Sequence, residues 1–74
     1  MTVAEVRSEM SANVWKVLVA EGDTIADGDT LVILESMKME IPVIAEASGV
    51  VHTLAVAGGD AIDEDALIAV IQED

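Results

Sequence analysis

The sequence predicts an all-β domain in which two copies of one unit face each other, and three observations carry that expectation. Shifted by 37 residues, the chain meets itself: nine of the 30 positions from Val6 to Glu35 are identical without a gap, the signature of a repeated structural unit. The apolar residues are mostly Val, Ile, Leu and Ala, and Trp15 is the one aromatic, a composition that suits a small β-core. Turn signals are closely spaced at Gly22-Asp23, Gly28-Asp29 and Gly58-Gly59-Asp60, where Gly supplies positive φ and Asp bonds its own backbone.

Twice 37 is 74, the length of the chain, so it reads as one domain over 1–74 with halves of about 1–37 and 38–74. The identities are Val6/Val43, Glu9/Glu46, Ser11/Ser48, Val14/Val51, Val19/Val56, Ala20/Ala57, Gly22/Gly59, Asp23/Asp60 and Ile25/Ile62. Apolar residues recurring with a period near two place strands over 3–8, 13–19, 31–36, 39–45, 50–56 and 67–72. Short pairings are expected around Ile25 and Ile62. Pro42 donates no ladder bond and belongs on an edge or at a bulge. Two facing sheets, or a flattened barrel, is the natural architecture, with the halves related by an approximate two-fold axis. The shift carries the junction at Met37-Lys38 onto the chain termini, so junction and termini are expected at opposite ends.

The remaining composition excludes much. A net charge of −12, from three basic and 15 acidic residues, repels a phosphate backbone and argues against nucleic-acid binding. The acids serve solubility and could steer docking to a basic surface. There is no Cys, hence no disulfide framework or thiol chemistry. No basic start followed by an apolar run is present, and apolar runs such as Leu31 to Leu34 are far too short to span a membrane. These features point to a soluble, cytoplasmic monomer. His52 stands alone, without a nucleophile, and is the repeat counterpart of Trp15; both are expected at outward or rim positions. The Asp-rich stretch Asp23 to Asp29 lacks the ligand spacing of an EF-hand loop and reads as Gly-Asp turns, so no metal site is expected.

At the junction stands Glu35-Ser36-Met37-Lys38-Met39-Glu40-Ile41-Pro42. With the Gly-Asp-x-Ile turns, Gly49-Val50-Val51 and the repeat, it resembles the biotinyl/lipoyl attachment domain family, whose biotin branch carries a lysine between two methionines. The resemblance covers nearly the whole chain and is nearest to the stand-alone biotin/lipoyl attachment proteins. It implies a flattened β-barrel, or sandwich, of two four-stranded antiparallel sheets with Lys38 at the tip of a protruding hairpin. It further implies covalent biotin on the Lys38 amine, joined by a biotin protein ligase, with a biotin carboxylase loading carboxyl onto it and a carboxyltransferase unloading it. The domain would carry and not catalyse. Family members usually have Gly where this chain has Ala12 and Asp65, and many biotin domains have Ala where Ser36 stands. Asp tolerates left-handed backbone, so Asp65 reads as a turn variant.

Lysine suits the task because it ends a long flexible stem in a nucleophile. An ordinary lysine amine is charged near neutral pH, so an outside enzyme must take its proton and supply an activated acyl group. Met37 and Met39 are adaptable apolar residues, expected on the face opposite Lys38 or at its sides, where they could meet the ligase and later the biotin ring; the alternative is core filler. Glu35 and Glu40 are solvated flanks or ligase recognition residues. Two further readings remain open. A lipoyl carrier uses the same fold and lysine, although lipoyl domains usually carry Asp-Lys-Ala at the tip. A non-carrier adaptor would keep the fold and bind partners through its acidic surface.

Overall fold

A computed structural model describes residues 2–73 of the chain. Eight strands follow one another: β1 (Val3–Arg7), β2 (Ala12–Val17), β3 (Thr24–Ile25), β4 (Thr30–Ser36), β5 (Met39–Ile44), β6 (Gly49–Leu54), β7 (Ala61–Ile62) and β8 (Leu67–Glu73). They form two four-stranded antiparallel sheets, ordered β1-β8-β6-β3 and β5-β4-β2-β7. Adding 37 to each element of the second order, and wrapping past residue 74, converts β5-β4-β2-β7 into β1-β8-β6-β3. The sheet order is therefore the sequence repeat written in space. The expected strands all form, and the short pairings around Ile25 and Ile62 are β3 and β7.

The symmetry extends to single hydrogen bonds. Gly22 N–H donates to Val51 O at 2.8 Å, as Gly59 N–H donates to Val14 O at 2.7 Å. Asp23 and Asp60 each accept a backbone N–H on Oδ2, from Ala20 and Ala57, at 2.9 Å. Asp65 takes the place of Gly28: its N–H donates to Ser8 O as that of Gly28 donates to Ala45 O, both at 2.8 Å. Asp65 has φ 70° where Gly28 has 96°, so the left-handed turn expected of this Asp is there. These carboxylates have structural employment in the turns, which accounts for the Asp-rich stretch. Pro42 lies on β5, an edge strand, where the ladder bond it cannot donate is not required.

Four strands stop earlier than the apolar pattern suggests, β5 by one residue, where Ala45 is buried and its N–H donates to Asp29 O. β1 ends at Arg7 because Ser8 turns inward: it is buried, its N–H donates to Ala66 O, and its hydroxyl bonds Met10 O. β2 and β6 end at Val17 and Leu54 because the turn carboxylates of Asp23 and Asp60 draw the following chain into tight turns. Val56 remains buried and Val19 packs against the core; their hydrophobicity reports burial and not strand membership. The register of β2 on β4 slips at Trp15 and that of β6 on β8 at His52. A bulge adds an unpaired residue and re-aims its side chain, and both residues are exposed.

The core comes in two-fold pairs: Val14 with Val51, Leu31 with Ile68, Val32 with Ala69, and Leu34 with Ile71, all almost wholly buried. Gly49 marks where the sheet tolerates no side chain, since a Cβ there would collide with the backbone carbonyl oxygen of Gln72. Its counterpart Ala12 borders an open depression. Gly49→Ala should therefore destabilise the domain by about 3 kcal/mol, the cost of overpacking against fixed backbone. Gly22→Ala, with open space around the new Cβ and φ 94°, should cost only about 1–2 kcal/mol of backbone strain. Urea midpoints of the two variants check the ordering; equal losses would contradict the steric account.

The register also places the ends of the molecule. Glu73 N–H donates to Thr2 O at 2.9 Å, so the described ends of the chain lie side by side. Gln72 and Glu73 pair with Val50 and Gly49, which pair with Thr24 and Ile25, and β4 starts just beyond the turn that follows. β4 then runs its seven residues, about 23 Å of strand, to the Met37-Lys38 turn. Its two-fold mate β8 runs the other way, starting beside the β7–β2 end and finishing at the termini. In a molecule 37 × 18 × 17 Å, the turn and the termini occupy opposite ends of the long axis.

Candidate functional site

The far end of the molecule is the β4–β5 hairpin. Ser36 pairs with Met39 and Glu35 with Glu40, leaving Met37 and Lys38 as a two-residue loop. Both have positive φ, 52° and 65°. This is the primed turn that follows strand twist and that Asn-Gly or Asp-Gly favours. Here a Met and a Lys occupy left-handed backbone, at a cost of roughly 1–2 kcal/mol each. Strain held in place by a rigid frame is a feature of functional sites, and the frame here is a ladder unbroken from Val32/Val43 to the turn. The hairpin fixes where the Lys38 backbone sits and leaves its side chain in solvent.

Met37 is 92% exposed and Met39 65%, so neither is core filler. Met37 occupies the turn itself, at the side of Lys38. Met39 is on the strand, sharing the face of Leu34 and Ile41 but lying beyond the core's end. Glu35 and Glu40 stand directly opposite each other on the outer face, an arrangement of like charges that destabilises a sheet. Neither closes an ion pair with Lys38; among the described residues the ion pair formed is Arg7 with Glu5, at 3.1 Å.

Beside the tip lies an open depression of about 400 Å³, lined by Asn13, Glu35, Ser36, Met37, Ala61 and Asp63 among others. The sequence reading missed it. Its signal was present in the repeat, as positions where the halves disagree: Asn13 against Val50, and Asp63 against Ala26. A larger groove of about 580 Å³ runs between edge strands β1 and β5, floored by Leu34 and Ile71.

Chemically, the tip offers one amine nucleophile with no general base in contact with it. His52 is on the other sheet, its Nδ1 bonded to Thr53 Oγ1 at 2.8 Å. No group of three potential metal ligands occurs among the described residues. The arrangement is fitted to present the Lys38 amine to another protein.

Comparison with known proteins agrees with this geometry. Residues 1–71 match the family described as "Biotin-requiring enzyme". The chain is 55% identical over 67 residues to the biotinylated protein TB7.3 homolog of Mycobacterium leprae, covering 90% of this chain and 94% of that one. It is 48% identical over 56 residues to the biotin/lipoyl attachment protein of Bacillus subtilis, covering 76% and 77%. Among solved structures, the urea carboxylase of Kluyveromyces lactis superimposes with a TM-score of 0.89 at 35% identity, over 97% of this chain and 6% of that one.

Proposed function

The chain belongs to the biotin-requiring family of attachment domains, and we propose that it carries biotin on Lys38 and has no catalytic activity of its own. The domain is a biotin carrier of the type found in biotin-dependent carboxylases. One observation supports the residue most strongly: Lys38 projects from a strained, solvent-exposed turn, between two exposed methionines, at the end opposite the termini.

Bound biotin supplies a ring that accepts and gives up a carboxyl group. The chain's residues hold that ring on a stem and present it. A biotin protein ligase would accept the lysine's proton and transfer the biotin acyl group, activated with ATP, to Nζ, so that the amide forms as the bond to the activating group breaks and that group leaves. Met37 and Met39 offer that ligase an apolar, adaptable contact, and the facing Glu35 and Glu40 mark the tip with negative charge. The loaded tip would then enter a carboxylase and a carboxyltransferase site in turn. The reading is of a cytoplasmic monomer that reaches these partners by diffusional encounter, aided by its charge.

Intact-mass measurement after incubation with a biotin protein ligase, biotin and ATP tests the proposal. One biotin is expected, mapping to Lys38. A lipoyl adduct in place of biotin would favour the lipoyl reading, and an unmodified chain the adaptor reading. In the double variant Met37→Asp, Met39→Ala, modification should move from biotin ligase toward lipoyl ligase. Unchanged biotinylation rates would refute the role given to the methionines.

A further inference from the structure

The two halves of the molecule share one architecture, so each residue near the tip can be compared with its two-fold counterpart at the other end. At the end holding the termini, the two-fold counterparts of Asn13 and Asp63 are Val50, a good strand former on β6, and Ala26, which follows β3. At the tip end they are an amide and a carboxylate, both lining the depression beside the turn. Asn13 is a poor strand former placed on a central strand, with Glu35 paired on one side and Ala61 on the other. Its amide and the carboxylates of Glu35 and Asp63 are not among the side-chain hydrogen bonds of the described residues; Ser11, also on the rim, accepts the N–H of Glu64 at 3.3 Å. Local preference is thus overridden where nothing in the fold requires it, which is the behaviour of functional positions.

The depression has the chemistry of a cyclic urea. A ureido ring has two N–H donors and one carbonyl acceptor. Carboxylates accept and a primary amide donates, and Glu35, Asp63 and Asn13 supply both. The fused apolar ring of biotin would find Met37, Ala61 and Ile62. The volume, about 400 Å³, falls in the range of small-ligand sites. Ser36 and Met37, the two residues before Lys38, form part of the wall, so a group tethered at Lys38 meets it by folding back over its own hairpin.

We propose that this depression is a resting dock for the ureido ring of biotin carried on Lys38, with Asn13 and Asp63 as its recognition residues. The inference rests on the assignment of biotin to Lys38. The dock is open to solvent and therefore weak. It holds the ring against the domain between visits and releases it to a partner's active site.

The test is NMR on the ¹⁵N-labelled chain before and after biotinylation, with intact mass recorded on the same sample. On biotinylation, the Asn13 side-chain amide and the backbone amides of Ala61 to Asp63 should shift, while Val50 and Thr24 to Ala26 at the opposite end should not. Asn13→Val with Asp63→Ala replaces each residue by its own two-fold counterpart, a choice the other half already accommodates. In that biotinylated variant the Ala61–Ile62 shifts should vanish, and streptavidin should capture the biotin about two- to fivefold faster, because a docked fraction no longer subtracts from the competent one. Shifts confined to Ser36 through Met39, with capture rates equal in the two proteins, overturn the dock and leave the biotin assignment standing. A mass without biotin on Lys38 overturns both.

Discussion

Lys38→Arg should leave the chain with no biotin at all under conditions that fully modify the parent. The effect is all or none because no other residue offers the amine in the same setting. Lys16 is the other lysine, but it lies on β2, hydrogen-bonded between β4 and β7, with its Nζ 5.3 Å from the centre of the Trp15 ring. It projects from the face of a sheet and not from a turn. Arginine keeps the charge at position 38 and cannot be acylated by the same route, since its guanidinium stays protonated. Position 38 makes no core contact, and Arg adopts φ 65° at the same cost as Lys, so stability should change by no more than about 0.5 kcal/mol. Intact mass with peptide mapping, alongside a thermal melt, reads both. Biotin found on Lys16, or a melt shifted by many degrees, would show that the tip is not what the fold makes of it. In cells the same variant separates carrier from adaptor, because an adaptor would work as before.

The repeat made most of this fold legible before any coordinates. Val14 and Val51, or Leu31 and Ile68, are matched in sequence because they are matched in space, so one unit predicts the strands, their two-fold relation and the placing of the termini. Hydropathy was less informative about where strands end. Val19 and Val56 continue the apolar pattern but leave the ladder, since a buried residue need not be a paired one. Conformation at the tip was legible only in the negative: Met37-Lys38 lacks the residues a primed turn favours, and the hairpin forms nevertheless because Ser36/Met39 and the pairs below it leave two residues to close the strands. Met37 and Lys38 fall between the expected strands 31–36 and 39–45, and they form the turn. The depression at Asn13 and Asp63 escaped notice for a different reason. The repeat was read for its agreements, and Asn13 and Asp63 are among its differences.

Inserting a short flexible loop between Met37 and Lys38 should abolish biotinylation, whereas fusing a bulky domain to either terminus should leave its initial rate within about twofold. Both expectations follow from the same geometry. Thr2 and Glu73 are bonded to each other at one end of the long axis, and β4 carries the chain from near that end to the turn, in a molecule 37 Å long. A fused domain therefore adds bulk where a ligase engaging the tip has no business. An insertion acts where recognition occurs. With both central residues at positive φ, the closed turn holds the Lys38 backbone in one direction and sets Met37 and Met39 beside it. A longer loop releases that strain, lets the lysine sample many directions, and makes the ligase bear the cost of ordering it, about 1–2 kcal/mol of backbone entropy for every residue fixed. Several inserted residues thus amount to a loss of orders of magnitude in productive encounters. The sequence Met-Lys-Met would be interrupted by an insertion placed before Lys38, so a second variant keeps it whole, with the loop between Ser36 and Met37. If the enzyme reads the linear motif, that variant is modified at the parental rate. If it reads the shaped hairpin, both insertions fail alike. Initial rates of label incorporation for the two insertions and the two fusions decide, and a fusion as damaging as an insertion would mean that the ligase approaches along the whole length of the domain and not at its tip.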